Sequence, residues 1–256
     1  MTVQIKISTI IPVYNAARYI GQTLQSVCAQ TENDWELILV DDDSADESVA
    51  VMERFIAQNG LEGRARIITL SADNGGTAAL ARNAGVEAAT GRYIAYLDAD
   101  DLWHTDKLHT QKTFMEMKGA AFSFTAYEFG DEDAHGTGKI VHVPQVLTYK
   151  KALSRTIVFT STVMLDREQV DADLMRMPQI ASEDTATWWQ IMRSGIPAYG
   201  IDEALTIYRR PAKSLSSNKL VALERIWNLY RNEGLSVPES AWHFAGWAWR
   251  ATARRL

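Results

Sequence analysis

Four short apolar runs recur through the first hundred residues: "ISTIIPV" (7–13), "WELILV" (35–40), "RIITL" (66–70) and "YIAYL" (93–97). Each is too short for a helix, is rich in Ile, Val or Tyr, and does not alternate strictly. That is the pattern of strands buried on both faces. The intervals between them carry a helical period instead. Ile20, Leu24, Val27 and Cys28 share one face behind a candidate cap at Asn15, and Val49, Met52, Phe55 and Ile56 share another after a Ser44/Asp46 start. A third interval, 78–89, is nearly all small residues, which predicts very close packing, and Gly91 marks its end. Alternation of this kind predicts a parallel sheet with right-handed crossovers, whose ligands bind at the carboxyl ends of the strands.

The second half is less regular. Residues 120–129 and 161–166 read as strands around a polar loop, "GDEDAHGTGK", and 182–194 as a helix capped by Ser182 and stopped at Gly195. Residues 196–200 and 205–210 read as two further strands, and the last forty residues as helix. Neither repeats nor a low-complexity linker divide the chain, so one domain with a C-terminal extension is expected.

Composition narrows the function classes. The 256 residues are 46% hydrophobic and 23% charged, as in an ordinary globular chain, and the net charge of -6 disfavours a general nucleic-acid-binding role. A single cysteine, Cys28, leaves no internal disulfide to form and fits a reducing compartment. No apolar run approaches the roughly 18 residues of a membrane span, so a soluble, cytoplasmic protein is expected.

Polar clusters follow each of the four runs: "YN", "DDDS", "SADNGGT" and "DADD". If the runs are parallel strands, all four clusters converge on one crevice. Asp98, Asp100 and Asp101 crowd a strand end, where their mutual repulsion makes sense if a hard divalent cation such as Mg²⁺ or Mn²⁺ sits between them. The D-x-D spacing turns Asp98 and Asp100 to the same side of an extended segment. The run Asp41–Asp42–Asp43 exceeds what a turn and cap require, and a carboxylate there can accept from the imide of a uracil or from a ribose hydroxyl. Arg82, behind two glycines, offers a fork to a phosphate or base, or else pairs with the neighbouring carboxylates. Glu183 and Asp184 open a helix, where the dipole favours anions, so simple capping also accounts for them.

Several of these stretches together resemble the inverting nucleotide-sugar glycosyltransferases of family 2, which have the GT-A fold. "STIIPVYNAARYIGQTLQSVCAQT" is similar to the family's opening strand and helix, and "ILVDDDSADES" to its V-D-D-G-S-x-D, with Asp43 in place of the glycine. "NGGTAALARNAG" resembles N-x-G-x-x-x-A-R-N-x-G, "YLDADD" the D-x-D motif, "SEDTATWW" the E-D motif and "LTIYRR" the Y-R that follows it. The resemblance covers residues 6 to about 115 and continues through 183–210.

The resemblance implies an α/β GT-A domain over 1–212, with its nucleotide-binding part in 1–115 and its acceptor part in 116–212, followed by a helical extension over 213–256. It implies that Asp42 accepts from the base edge, that Pro12, Tyr14 and Asn15 line the nucleotide pocket and that Arg82 helps hold the nucleotide. Asp98 is expected near the ribose. Asp100, with Asp98 and Asp101, is expected to bind Mn²⁺ or Mg²⁺ on the diphosphate. Asp184, with Glu183 beside it, is the implied base in transfer from a nucleotide sugar, UDP-linked, to a glycan or lipid-linked acceptor of a bacterial surface polysaccharide.

Trp188 and Trp189 follow the base by about one helical turn and are candidates to stack on an acceptor sugar, with core packing as the alternative for one of the pair. Arg209 and Arg210, with "PAKSLSS", are candidates for a loop closing over the diphosphate, or else form a plain surface loop. The tail "ESAWHFAGWAWRATARRL" sets Trp242, Phe244, Trp247 and Trp249 beside Arg250, Arg254 and Arg255. Such a helix suits a membrane interface, or else docks on the domain. Among rival classes, a sugar nucleotidyltransferase should carry a Gly-rich basic loop after the first strand and a dinucleotide oxidoreductase a G-x-G-x-x-G. "PVYNAARY" is neither. A binding module without turnover is opposed by the D-x-D and E-D stretches.

Overall fold

The computed structural model describes residues 6–71, 76–210 and 219–253. Its elements, in chain order, begin with β1 (Ile7–Val13), α1 (Ile20–Cys28), β2 (Trp35–Asp41), α2 (Ser48–Asn59), β3 (Ala65–Thr69), α3 (Ala78–Ala88) and β4 (Tyr93–Tyr96). They continue with β5 (Leu102–Trp103), α4 (Lys107–Lys118), β6 (Phe122–Gly130), β7 (Gly136–Val141), β8 (Val146–Leu147), α5 (Tyr149–Ala152) and β9 (Met164–Asp166). The chain closes with α6 (Ala172–Met175), α7 (Glu183–Arg193), β10 (Ala198–Arg209), α8 (Lys219–Asn232) and α9 (Val237–Ala253).

One sheet carries all the strands, in the order β3-β2-β1-β4-β9-β6-β10-β5, with β7 paired to β6 and β8 to β10. β3, β2, β1 and β4 are parallel, as their apolar runs predict. β9 then enters antiparallel to both β4 and β6, and β10 runs parallel to β6. Helices cover both faces. On one side α1, α2 and α4 bury Ile20, Leu24, Val27, Met52 and Leu108, and on the other α3, α7 and α8 bury Ala79, Ala81, Trp188 and Tyr230. The small residues of α3 have a concrete cause: a Cβ on Gly85 would lie 2.3 Å from Ile10 Cγ2, so only glycine lets this helix rest on β1.

Strand order reverses between β1 and β4, and the crevice opens there. Pairing with β4 ends where Leu97 N–H donates to the Ile10 carbonyl, whereas pairing with β2 runs on to Val13. Pro12 points its backbone to the same side as Ile10, so its missing N–H falls where the ladder has already parted.

Three local expectations change. The 205–210 and 196–200 segments form one strand, β10, because register shifts near residues 201–206 absorb the polar Asp202–Glu203 interruption. The start of the expected 161–166 strand is instead part of a 3-10 turn, Thr160–Thr162, whose polar side chains are buried. Ser182 stands at the N-cap of α7 but takes φ 62°, and its side chain makes no capping bond.

Candidate active site

The ends of β1 and β2, the start of α3 and the loop after β4 surround a cavity of about 750 Å³. Pro12, Tyr14, Asn15, Asp42, Arg82, Asp98 and Asp100 all line it. Tyr14 stands 64% exposed, its ring offering a face rather than filling the core. Asn15 does not cap α1, which starts at Ile20. Its backbone N–H donates to Ser44 Oγ (3.0 Å), and its Oδ1 accepts from Ala45 N–H (2.9 Å). The loop after β1 is thereby stapled to the loop after β2. Asp46 accepts from the N–H groups of Ala17 (3.0 Å) and of Ser48 (2.9 Å), the first residue of α2, whereas the N-cap position itself is Glu47, whose side chain makes no capping bond.

Asp43 has φ 62°. Its place is one that glycine occupies without strain, which explains the glycine of the resembling pattern; Asp tolerates the conformation better than most residues. Asp42 beside it is nearly buried, and its Oδ1 has no partner among the described residues. Burial, then Asp41 and Asp43, push its carboxyl up. A Cβ on Gly76 would come within 3.0 Å of both Asp42 oxygens, so glycine admits the approach of α3's leading loop. Asn74 and Gly75 of that loop lie outside the described residues.

Arg82 resolves its two readings in favour of pairing while still lining the cavity. Its Nη2 contacts Asp98 Oδ1 at 2.7 Å and its Nη1 contacts Glu183 Oε1 at 2.8 Å. Burial opposes the charge, but Asp98, Glu183 and Asp184 outweigh it and raise the guanidinium further. This bridge joins the E-D motif to the D-x-D motif, with Glu183 lying 101 residues beyond Arg82 in the chain. Glu183 is itself raised, by burial first and then by Asp184, against the pull of Arg82.

The three acids after β4 separate. Asp98 pairs with Arg82, and its backbone N–H donates to Ser161 Oγ (3.0 Å). Asp100 faces the cavity, where burial and then Asp98 push its carboxyl up to about 6. Asp101 corrects its expectation as a metal ligand. It is fully buried, it accepts from Ser161 Oγ (2.6 Å) and Arg209 N–H (3.1 Å), and it anchors the loop from within. Arg209 is the second anchor. Its guanidinium donates to the Asp100 carbonyl (2.6 Å), the Glu132 carbonyl (2.7 Å) and Gln22 Oε1 (2.7 Å), so it braces the loop instead of standing free above it. Residues 211–218, "PAKSLSSN", lie outside the described residues.

Asp184 accepts from Thr160 Oγ1 (2.9 Å) and from the backbone N–H of Thr185 (2.6 Å). Trp188 and Trp189 correct the stacking expectation: each is 1% exposed. Trp188 packs on Tyr96 and Phe122, and Trp189 stacks on Tyr230 of α8 at 5.5 Å. The apolar face of α7 needs both rings for its core contact, which leaves neither for an acceptor. The tail aromatics divide by face. Phe244 and Trp247 turn inward, with Trp247 Nε1 donating to Thr156 Oγ1 (2.8 Å), whereas Trp242 and Trp249 are 78% and 76% exposed. Arg254 and Arg255 lie outside the described residues.

No group of three His, Cys, Asp or Glu side chains among the described residues could enclose a metal ion. The donor set fits a different arrangement, in which Mg²⁺ or Mn²⁺ takes one or two carboxylates and completes its shell with phosphate oxygens and water. Asp100 is suited to this, since a nearby cation would restore the charge that burial disfavours there. Thr160 and Ser161 were missed in the sequence. The signal was three consecutive hydroxyl residues directly after the apolar "IVF", where a strand needs none.

Known proteins resemble this chain in sequence and in fold. The family model described as "Glycosyl transferase family 2" matches residues 8–173. TuaG of Bacillus subtilis, named as a teichuronic acid biosynthesis glycosyltransferase, is 40% identical over 252 residues, 98% of this chain and 97% of TuaG. WfgD of Escherichia coli, named as a UDP-Glc:alpha-D-GlcNAc-diphosphoundecaprenol beta-1,3-glucosyltransferase, is 34% identical over 87% of this chain and 84% of its own. Among solved structures, TarS 1-349 of S. aureus in complex with UDP-GlcNAc superposes with a TM-score of 0.67 at 18% identity, over 95% of this chain and 72% of that one. The mannosyltransferase PcManGT of Pyrobaculum calidifontis, in complex with GDP-Man and Mn2+, gives 0.70 at 17% identity, over 98% and 75%. The architecture is the GT-A fold.

Proposed function

This chain belongs to glycosyl transferase family 2, and on that premise we propose that it moves a sugar from a UDP-linked donor to a hydroxyl of a lipid-linked or glycan acceptor in bacterial surface-polysaccharide synthesis. The observation that carries the reading is the meeting of two carboxylate pairs across Arg82, beside a cavity lined by Tyr14 and by Asp42, whose Oδ1 has no partner among the described residues. Tyr14 offers its face to the base, and Asp42 accepts an N–H from the base edge. Arg82 keeps Asp98 and Glu183 in register. Asp100, with Asp98, would hold Mn²⁺ or Mg²⁺, which when bound would neutralise the charge on the departing diphosphate. Asp184 takes the proton of the acceptor hydroxyl as that oxygen attacks the anomeric carbon from the face opposite the diphosphate. One base and no covalent nucleophile give inversion, through a transition state of oxocarbenium character.

A lipid-linked acceptor places the reaction at the cytoplasmic face of a membrane. No helix among the described residues is long and apolar enough to cross one. The exposed Trp242 and Trp249, seven residues apart on α9, support contact by lying on the surface, as amphipathic rings do at an interface. Co-sedimentation with phosphatidylglycerol vesicles should fall when both are changed to Ala.

The test of the activity is a panel of UDP- and GDP-sugars with Mn²⁺ and N-acetylglucosaminyl diphosphoundecaprenol, read as nucleotide release and as mass gain of the lipid. Release above the buffer rate with at least one donor, lost on chelation, is expected. Binding of donors without any release would replace the enzyme by a binding module.

A further inference from the structure

The 3-10 turn Thr160–Thr162 belongs to none of the recognised motifs, yet it buries three hydroxyl side chains in succession, each at most 1% exposed. Apolar side chains would fill that space without the cost of burying polar groups, so the hydroxyls call for another explanation. Their bonds supply one. Ser161 Oγ accepts from the Asp98 N–H (3.0 Å) and donates to Asp101 Oδ2 (2.6 Å). The Ser161 carbonyl accepts from Trp103 Nε1 (2.7 Å) and Thr206 Oγ1 (3.3 Å), and the Thr162 carbonyl accepts from Gln111 Nε2 (2.9 Å). The turn is thus fastened to the D-x-D loop and the sheet behind it. From that fixed base, Thr160 Oγ1 donates to Asp184 Oδ2 at 2.9 Å.

Among the described residues the other bonds to Asp184 come from Thr185, whose N–H and hydroxyl reach Oδ1 at 2.6 and 3.3 Å. Those are contacts of adjacent residues, and they travel with α7 wherever its first turn goes. The Thr160 bond comes from a separate element. It therefore refers the Asp184 carboxylate to the D-x-D loop and not merely to its own helix. A carboxylate turns about a broad terminal torsion, and one bond from a rigid neighbour is enough to select an orientation. Each oxygen keeps a further lone pair for an incoming proton.

We propose that Thr160 is a positioning residue for Asp184, and that Ser161 references it to the D-x-D loop, so that the base and the donor-side carboxylates are held as one unit. The proposal rests on the reading of Asp184 as the base. Removing the Thr160 hydroxyl leaves the donor site intact and lets the base drift, which costs turnover and not donor affinity.

The test uses the full chain with whichever donor of the panel above is turned over fastest. Thr160→Val should lower kcat about 10- to 100-fold, the usual loss for a partner that orients a reacting group. Donor KM and the thermal midpoint should stay at wild-type values, and Thr160→Ser should restore most of the rate. Thr160→Ala, which cannot overpack, gives the same comparison if the valine disturbs folding. A kcat within twofold of wild type for the Ala or Val variant overturns the proposal, as does an equal loss of donor affinity that Ser fails to rescue. Asp184→Asn separates the two readings. If it stays active, the base assignment is wrong and the role of Thr160 falls with it. If it is inactive while Thr160→Val is not, the positioning role alone is wrong.

Discussion

Two groups of carboxylates sit at opposite ends of the same parallel strands, and they are treated in opposite ways. At the amino ends, Glu36 accepts from Ser8 Oγ (2.6 Å), from Thr90 N–H and Oγ1 (both 2.7 Å) and from Arg66 Nη2 (2.6 Å). Burial works against its charge, but those bonds win and bring the carboxyl down to about 2. At the carboxyl ends, Asp42 is buried and Asp100 half-buried beside other acids, with fewer donors among the described residues, and both are pushed up. The chain can satisfy a buried carboxylate, and it does so where the carboxylate holds strands together. At Asp42 and Asp100 it does not do so among the described residues, and the proposed function puts the donor there.

The sharpest break in the comparison is Asp184→Asn, which should cut transfer by a factor on the order of 10² to 10⁴ while donor affinity, measured by calorimetry, stays within twofold. Next is Asp100→Ala. Mn²⁺-dependent UDP affinity should drop about 10- to 100-fold, and the thermal midpoint without ligand should hold or rise, because a like-charge neighbour of Asp98 has gone.

Glu36→Gln should do the reverse, lowering stability by roughly 2 kcal/mol in urea unfolding and leaving UDP affinity unchanged. The sign of its pH dependence follows from the depressed carboxyl. The stabilisation is complete above the ordinary value of 4.5 and is lost as pH falls through about 2, so wild type and variant should converge across that window. Convergence on raising the pH instead would contradict the network. The smallest effect is expected for Asp43→Gly. It relieves a left-handed residue and one repulsion on Asp42, against a gain in unfolded-chain entropy, for a net stabilisation of up to about 1 kcal/mol in thermal unfolding.

Much of this was legible in the residues. Buried parallel strands announce themselves as short apolar runs, and the polar residues after them have to gather where the strands end. The small residues of α3 announced its close approach to β1, which Gly85 makes against Ile10. Long-range pairing was harder to read. Asn15 has the chemistry of a cap, and only the proximity of Ser44 and Ala45 turned it into a staple between loops. Trp188 and Trp189 have the chemistry of a sugar platform, and only the packing of α7 against Tyr96 and of α8 against α7 assigned them to the core.

The sequence by itself determined which side chains could do the chemistry, because strand periodicity and the order of motifs are local properties. Asp98, Asp100 and Asp101 are identical in chemistry and close in the chain, and although the D-x-D spacing turns Asp98 and Asp100 to one side, nothing local assigns any of the three its partner. The tertiary structure did so by supplying partners from distant segments: Arg82 for Asp98, the open cavity for Asp100, and Ser161 with Arg209 for Asp101. A carboxylate's role depends on whether its charge is paired, left facing a cavity or sealed in, and that is decided by neighbours only the fold can bring.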